Sequence, residues 1–353
     1  MDTTLGKACI LKSGKFVSAN SIQERFSEGL YPCYGGNGIR GYVANYSHEG
    51  TFPIIGRQGA LCGNVNYAIG KFRATEHAVV VQPKEEIDTR WLYYKLISMD
   101  LGQYATGAAQ PGLAVSKIEQ LPINIPELSV QQQTARMFDL LERLIALRKE
   151  QLAKLDQLVK SRFIELFGDP NTNPMKWKKE QLQINATLLN GRAYKQDELL
   201  DNGKYPVLRV GNFFSNRGWY YSDLELDEDK YCDDGDLLYA WSASFGPRIW
   251  NGGKVIYHYH IWKVLVGEKY NKQFLCHLLD YATASFMGDT HGIGMMHLTK
   301  SGMEETEFIV PPIDFQNQFA AFVEQTDKSK LAIQRSLDKL ELLKKSLMQE
   351  YFG

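Results

Sequence analysis

The sequence lacks long apolar runs and clustered cysteines. No run of about 18 apolar residues occurs, so no transmembrane helix is predicted, and the N-terminal MDTTLGKACI carries no secretion signal. The cysteines are odd in number and widely spaced, which argues against a disulfide framework and against structural zinc. They are Cys9, Cys33, Cys62, Cys232 and Cys276. We therefore expect a cytoplasmic chain kept in a reducing compartment.

The chain also lacks the motifs of common enzymes. No G-x-x-x-x-G-K-[ST] loop, G-x-S-x-G elbow or H-E-x-x-H helix is present. Asn171-Thr172-Asn173-Pro174-Met175 lacks the second proline and the aromatic residue of an amino-methyltransferase motif. His258 and His260, predicted to share one side of a strand, have no third metal ligand nearby in sequence. No catalytic residue and no metal site is predicted, and the net charge of −1 disfavours coating of DNA through bulk charge.

A long internal repeat organises the chain. Residues 126–168 align without a gap to 311–353 at an offset of 185, with 13 identities in 43 positions. Both copies begin with Pro-x4-Gln-x-Gln and end with Glu-x-Phe-Gly. Two unrelated leucine-rich helices would not share both ends, so we interpret the segments as repeats.

Both repeat segments have the pattern of long helices. Apolar residues recur at spacings of three and four, Ser129 and Asp314 are the predicted N-caps, and Gly168 lies at the expected C-terminal position. A helix of about 39 residues would be about 58 Å long, which is typical of a coiled coil. Exposed leucine seams need a partner, so we expect the two helices to pair antiparallel; packing of each on its own domain is the alternative.

The segments between the helices predict α+β domains with bent sheets. They are rich in Gly, Tyr and Asn and contain short β-branched or aromatic runs, for example at 52–55, 78–81, 236–239 and 254–257. Short helices are predicted at 89–103 and 271–286. The predicted domains are 1–125 and 169–310, separated by the helical segments 126–168 and 311–353.

Glycine-framed polar loops are the candidate binding elements. Glycine lets a backbone approach a ligand closely, while Arg, Asn and Gln carry donors and acceptors that match base edges. In the first domain these loops are 34–41, 56–64 and 107–112, and in the second they include 209–212, 241–248 and 290–294. Taken singly, each could be an ordinary solvated turn. As matched sets they indicate a binding face in each half, with the candidate DNA-binding residues Asn37, Arg40, Arg57, Gln58, Asn64, Gln110, Arg209, Asn212, Trp241, Ser242, Arg248 and His291.

Over nearly its whole length the sequence resembles the specificity subunits of type I restriction–modification enzymes. The most specific residues are Gln110-Pro111-Gly112-Leu113, the following Leu121-Pro122-Ile123, and the helical repeats described above. Before the second helix, the Gln-Pro-x-Leu motif is replaced by Gly294-Met295-Met296-His297-Leu298. The second loop is therefore expected to read DNA differently, or else the motif is structural.

The resemblance implies a non-catalytic subunit that reads a split DNA target. Each variable domain would read one half, with half-sites about 34 Å apart, and the helices would form a spacer. The implied partners are double-stranded DNA, two methyltransferase subunits and the restriction subunits. S-adenosylmethionine, ATP and Mg would bind to those partners, and no cofactor is expected in this chain.

Two other classes of function stay open on the sequence alone. The chain could be an enzyme with a cryptic nuclease or methyltransferase site, or a scaffold whose variable domains bind proteins. Binding of S-adenosylmethionine and DNA cleavage by the purified chain would indicate the first. Neighbouring genes that lack methyltransferase or motor subunits would favour the second.

Overall fold

The structure is a computed structural model that describes residues 2–84, 86–107, 111–215, 218–242, 244–288 and 298–353, with the backbone alone at 285–288. Among the helices of these ranges, none is long and apolar enough to cross a bilayer.

The first half of the chain contains a small domain followed by a long helix. Its elements are β1 (Asp2–Thr4), α1 (Leu5–Ala8), β2 (Cys9–Ser13), β3 (Tyr31–Gly35), β4 (Gly38–Val43), β5 (His48–Gly56), β6 (Val65–Ala74), β7 (Ala78–Pro83), α2 (Thr89–Ser98), α3 (Val115–Glu119), β8 (Pro122–Asn124) and α4 (Leu128–Phe167). Single 3-10 turns lie at Ala19–Ser21 and Leu101–Tyr104.

The second half repeats this order with insertions. Its elements are β9 (Lys179–Gln181), α5 (Leu182–Asn185), β10 (Ala186–Asn190), β11 (Tyr205–Leu208), α6 (Val210–Phe214), β12 (Tyr220–Ser222), β13 (Tyr231–Cys232), β14 (Leu237–Ser242), β15 (Ser244–Ile249), β16 (Val255–Tyr257), β17 (Ile261–Val266), α7 (Lys272–Gly288), α8 (Lys300–Glu305), β18 (Glu307–Ile309) and α9 (Ile313–Phe352). The 3-10 turns are Gln196–Glu198 and Glu228–Lys230.

The sheets have corresponding strand orders in the two halves. The first half has a six-stranded sheet in the order β2-β7-β5-β6-β3-β4, in which β3 and β6 are parallel. The second half has β10-β17-β14-β15 and β12-β11-β16-β13, in which β11 and β16 are parallel. The β-branched and aromatic runs predicted as strands lie in β5, β7, β14 and β16, and the α+β class is confirmed.

The chain forms two compact units, and each contains a part of both long helices. The first unit comprises residues 1–150 and 334–353, and the second comprises 151–333. In the first unit, Lys344 bonds to Glu142 at 2.5 Å and Lys149 bonds to Glu341 at 2.9 Å, so α4 and α9 run antiparallel.

The second unit has the same arrangement between the remaining parts of these helices. Asp156 near the end of α4 pairs with Lys330 of α9 at 2.5 Å, and the buried Phe163 of α4 packs edge-on against Phe319 of α9 at 5.4 Å. The predicted antiparallel pairing of the two long helices is confirmed, and each helix has 40 residues. Phe163, Phe319 and Val323 bury apolar surface in the seam, which stabilises the pair.

The predicted N-caps of both long helices are wrong by two residues. The first helical hydrogen bonds are accepted by the carbonyls of Glu127 and Pro312, so Ser129 and Asp314 lie inside the first turn. The hydroxyl and carboxylate at these positions are favourable in a first turn as well as at a cap, which is why the pattern could not separate the two.

The Pro-x4-Gln motif of the repeat is a buried hydrogen-bonding device. Gln131 is 1% exposed; its Nε2 donates to the Pro126 carbonyl at 2.8 Å, and its Oε1 accepts the backbone N–H of Asp88 at 2.8 Å. Asp88 is in turn the N-cap of α2. One carboxamide therefore joins the start of a long helix to the start of the short helix beside it.

The second unit repeats the device at equivalent positions. Gln316 is fully buried, its Nε2 donates to the Pro311 carbonyl at 2.7 Å, and its Oε1 accepts the N–H of Asn271 at 2.9 Å. The Asn271 side chain accepts backbone N–H groups of Gln273 and Phe274 at the start of α7. Both sequence repeats therefore fold into the same contact.

The Phe-Gly endings of the repeats fill the core beside these devices. Phe352, at the end of α9, packs in the first unit against Trp91 of α2 and Phe138 of α4. Phe167, at the end of α4, packs in the second unit against Phe274 and Phe319. Each unit therefore holds the start of one long helix and the end of the other.

Candidate nucleic-acid interface

Backbone hydrogen bonds join two of the three polar loops of the first domain, 56–64 and 107–112. Gly59 N–H donates to the Pro111 carbonyl at 3.0 Å, and Leu113 N–H donates to the Arg57 carbonyl at 2.8 Å. Leu113 itself is buried in the core. The described part of the Gln-Pro-x-Leu motif therefore supports the loop that carries Arg57, whereas Gln110 lies outside the described residues.

Glycines in these loops allow close contact with neighbouring backbone. A Cβ on Gly56 would lie 1.8 Å from the Gly36 carbonyl oxygen, and a Cβ on Gly63 would lie 2.2 Å from the Gly102 nitrogen. Gly63 also has a φ of +91°, which disfavours other residues. The sequence predicts that such glycines let a ligand come close to the backbone. At these two positions they instead let two backbone segments come close to each other.

The assembled loops form a surface that we call the first polar face, made of Asn37, Arg40, Gln58, Asn64 and His77. The first four side chains are exposed, and Asn64 Nδ2 donates to Asn37 Oδ1 at 3.0 Å. Two concavities, of about 340 and 470 Å³, share Gly36, Asn37 and His77 as lining residues. Donors and acceptors of this kind suit contacts to base edges and phosphates.

His77 is a member of this face that the sequence did not reveal. Its Nε2 lies 3.3 Å from Glu76 Oε1, and its side chain is partly exposed. Seven histidines without a ligand spacing gave no reason to select it. Its position in the turn between β6 and β7 became visible only when the strands were in place.

Arg57 is less exposed than the other candidate residues of this region that the structure describes. Its side chain is half-buried, and its Nη1 donates to Ser13 Oγ at 3.1 Å. Burial raises the pKa of the neighbouring Cys62 thiol, against the opposing charge of Arg57, so this thiol stays neutral near pH 7. A restrained guanidinium loses less side-chain entropy when it binds a ligand.

In the second domain, residues 241, 242 and 244–248 lie in strands and not in a polar loop. Trp241 and Ser242 end β14, and Arg248 lies in β15, where it pairs with Leu238. Side chains alternate along strands, so Ser242 and Arg248 lie on one face of this hairpin and Trp241 lies on the other. The loop interpretation of this segment was wrong because its polar and small residues also suit an exposed hairpin.

Trp241 occupies the position in the second domain that Arg57 occupies in the first. Its backbone N–H donates to the His260 carbonyl at 3.0 Å, as that of Arg57 donates to the His77 carbonyl at 3.0 Å. Its indole N–H donates to the Tyr259 carbonyl at 2.9 Å, and its ring stacks on Trp262 at 5.8 Å. Ser242 is therefore the counterpart of Gln58.

The remaining candidates of the second domain surround the short helix α6. Arg209 lies over the Tyr220 ring at 5.1 Å, and Arg248 Nη1 donates to the Phe213 carbonyl at 2.5 Å. Asn212 Nδ2 donates to the Gly218 carbonyl at 3.1 Å. Arg209 and Arg248 are exposed, whereas Asn212 is half-buried. His291 lies outside the described residues.

His258 and His260 flank Tyr259 in the turn between β16 and β17; their predicted place within one strand was wrong. Their rings lie 4.7 Å apart. Burial, and then the charges of His260 and Arg209, lower the pKa of His258 to about 4, so its ring is neutral at pH 7. Within the described ranges, no group of three or more His, Cys, Asp or Glu side chains could hold a metal ion.

These features define a protein with two similar α+β domains, each with a polar surface and each packed on paired long helices. The family profile described as "Type I restriction modification DNA specificity domain" matches residues 3–157 and 174–343. The chain belongs to this family. It is a DNA-recognition subunit and not an enzyme, as predicted from the resemblance.

Relatives of known name agree with this assignment. The EcoprrI specificity subunit of Escherichia coli is 49% identical over 137 residues, which is 38% of this chain and 34% of that protein. A putative specificity subunit of Haemophilus influenzae is 26% identical over 91% of this chain and 88% of its own length. The S subunit structure from M. genitalium matches with a TM-score of 0.67 at 16% identity, covering 100% of this chain and 96% of the other, which supports the fold.

Proposed function

We propose that this chain reads a DNA target split into two halves, one for each domain. The observation that carries the proposal is the duplicated architecture: both units contain the buried glutamine device and the phenylalanine packing, but they carry different polar side chains. Two units with the same helical contacts and different polar side chains suit a target whose two halves differ in sequence. The antiparallel helix pair would fix the gap, with half-sites about one helical turn, or about 34 Å, apart.

The proposed contacts to the first half-site come from the first polar face and its neighbour Arg57. Asn37, Asn64 and Gln58 would pair with base edges, as Asn and Gln do with adenine, and Arg40 or Arg57 would pair with guanine or phosphate. Exposure favours Gln58 and Arg40 as the direct readers, because Arg57 already bonds to Ser13. Gln110 remains a proposed contact.

For the second half-site, Arg209, Ser242 and Arg248 are the proposed polar contacts. Trp241 would contact DNA through the carbon atoms of its ring edge, since its indole N–H is already bonded to the Tyr259 carbonyl. Asn212 would hold the Gly218 backbone more than it would touch DNA. His291 remains a proposed contact.

The proposed partners are two methyltransferase subunits and the restriction subunits of a type I complex. A chain with two repeated helical segments offers two equivalent docking positions, which supports two copies of the methyltransferase. S-adenosylmethionine, ATP and Mg would be bound by those partners. A cytoplasmic location is proposed with them.

Mapping of methylated sites tests the split target. DNA from cells that carry this gene and its partner genes should show one motif made of two short specific parts with a fixed unspecified gap. Cells with an inactivated copy of this gene are the control and should lack that motif. A continuous palindromic motif would contradict the proposal.

Gln58→Ala tests the first polar face. Loss of a two-point contact to a base should weaken binding of the assembled complex by about 1–3 kcal/mol and relax the motif at one position of one half-site. Gln120→Ala, at another exposed glutamine of the same unit that lies outside the first polar face, is the matched control and should change neither. An unchanged motif and affinity for Gln58→Ala would remove this residue from the interface.

A further inference from the structure

The turn between β6 and β7 of the first domain, Thr75–His77, is fixed by three backbone hydrogen bonds. Thr75 N–H donates to the Tyr34 carbonyl at 3.0 Å, and Ala78 N–H donates to the Thr75 carbonyl at 3.0 Å. The carbonyl of His77 accepts the N–H of Arg57 at 3.0 Å. The turn therefore places His77 beside a candidate reading residue.

The turn between β16 and β17 of the second domain, His258–His260, has the same three bonds. His258 N–H donates to the Leu208 carbonyl at 2.9 Å, and Ile261 N–H donates to the His258 carbonyl at 2.9 Å. The carbonyl of His260 accepts the N–H of Trp241 at 3.0 Å. His260 is thus the structural counterpart of His77, although the two turns otherwise differ in sequence.

Each imidazole is also in contact with the residue that precedes it. Glu76 Oε1 lies 3.3 Å from Nε2 of His77, and the Tyr259 ring lies 4.0 Å from the His260 ring. Both histidine side chains are partly exposed. His77 borders both concavities of the first polar face, and the His260 ring lies 5.1 Å from the ring of Trp241.

The side chains around the two histidines differ between the domains, which suits two different base sequences. A residue that is the same in both domains suits what is the same in both half-sites, namely the sugar–phosphate backbone. Phosphate contacts fix the register of a protein on DNA, and base contacts carry the sequence information. We propose that His77, through the ring nitrogen that faces away from Glu76, and His260 each donate an N–H to a phosphate of their respective half-sites and position the two domains equivalently.

The inference rests on the proposed reading of a split target, and the test separates the two. The complete complex with its methyltransferase subunits is mixed with a duplex that carries the mapped motif, and with duplexes altered in either half-site. His77→Ala should raise Kd about tenfold on all of them, by loss of one charge-assisted hydrogen bond, and leave the methylated motif unchanged. Thermal unfolding of His77→Ala at the wild-type temperature shows that the domain is intact.

Neutral methylphosphonate linkages, placed one at a time along the half-site, give the sharper arm. One linkage should weaken the wild-type complex about tenfold, and His77→Ala should lose no further affinity at that linkage. His260→Ala should behave in the same way in the other half-site. A relaxed motif for His77→Ala, unchanged affinity, or additive losses at every linkage would overturn the inference, while specific binding by the wild type would leave the proposed function intact.

Discussion

At the scale of single residues, the start of each long helix depends on one buried carboxamide. Gln131 satisfies the carbonyl of Pro126 and the N–H of Asp88, and Gln316 does the same for Pro311 and Asn271. Buried backbone groups without a partner are costly, so no apolar residue of similar size could replace this side chain. This explains why glutamine recurs in both repeats next to exposed positions that vary.

Gln131→Ala should lower the free energy of unfolding by about 1–3 kcal/mol, because an N–H and a carbonyl lose their partner in a buried place. Urea denaturation measures it. Gln132→Ala, at the exposed neighbouring position of the same helix, is the matched control and should stay within about 0.5 kcal/mol of the wild type. Equal effects for both variants would show that the contact has no special role.

Some of the candidate interface could be predicted from residue types, and some could not. Exposed Asn, Gln and Arg in glycine-framed loops led to Asn37, Arg40, Gln58 and Asn64, which the fold brings together. The equivalent positions of Arg57 and Trp241 could not be predicted from the sequence, because the equivalence rests on backbone hydrogen bonds that any residue with a backbone N–H can make. Their proposed contacts with DNA stay predictions.

At the scale of elements, short strand pairs attach the domains to the long helices. In the first half β1 pairs with β8 just before α4, and in the second half β9 pairs with β18 just before α9. Three-residue strands are too short and irregular to give a period in the sequence, so none of these four was predicted. The long helices were, since their period persists over many turns.

The pair of β9 and β18 has an acid-sensitive contact at Glu180. This buried carboxylate accepts hydrogen bonds from Lys178, Lys269 and Asn185, which lower its pKa from 4.5 to about 2. A carboxylate with a lowered pKa stabilises the folded state above its unfolded pKa, and the contribution is lost as the pH falls from about 4.5 towards 2.

Glu180→Gln should therefore be less stable than the wild type at pH 7, and the difference should shrink as the pH falls through that range. Urea denaturation at pH 7, 5 and 3 measures the difference. Glu268→Gln, at an exposed position in the same domain, is the control and should show a smaller effect of pH. A difference that is constant with pH would contradict the role given to the carboxylate.

At the scale of the whole molecule, the proposed spacer between the half-sites is the pair of long helices, α4 and α9, which both units share. The units divide between residues 150 and 151 in α4 and between 333 and 334 in α9. An insertion of seven residues lengthens a helix by about 10.5 Å. It rotates the residues beyond the insertion by only about 20°, so the same side of the helix still faces its partner. At about 3.4 Å per base pair, this length corresponds to about three base pairs.

Insertion of seven helical residues at both of these points should therefore lengthen the gap in the methylated motif by about three base pairs and leave both half-sites unchanged. Sequencing of methylated sites measures the gap. The same insertion in α4 alone breaks the pairing register, so it should reduce methylation without producing a new gap. An unchanged gap with the double insertion would show that the helices do not set the spacing.

The divided composition of the first unit has a consequence for synthesis of the protein. Its core contains Phe352, which the ribosome adds after all of residues 151–333, whereas the second unit is made from one continuous stretch. The second unit can thus fold first. The core of the first unit stays incomplete, with apolar surface exposed beside Trp91 and Phe138, until the end of α9 has been synthesised and packs there. The domain that is synthesised first is therefore completed last, and during that interval its unfinished core is open to binding by a chaperone or by a proposed partner subunit.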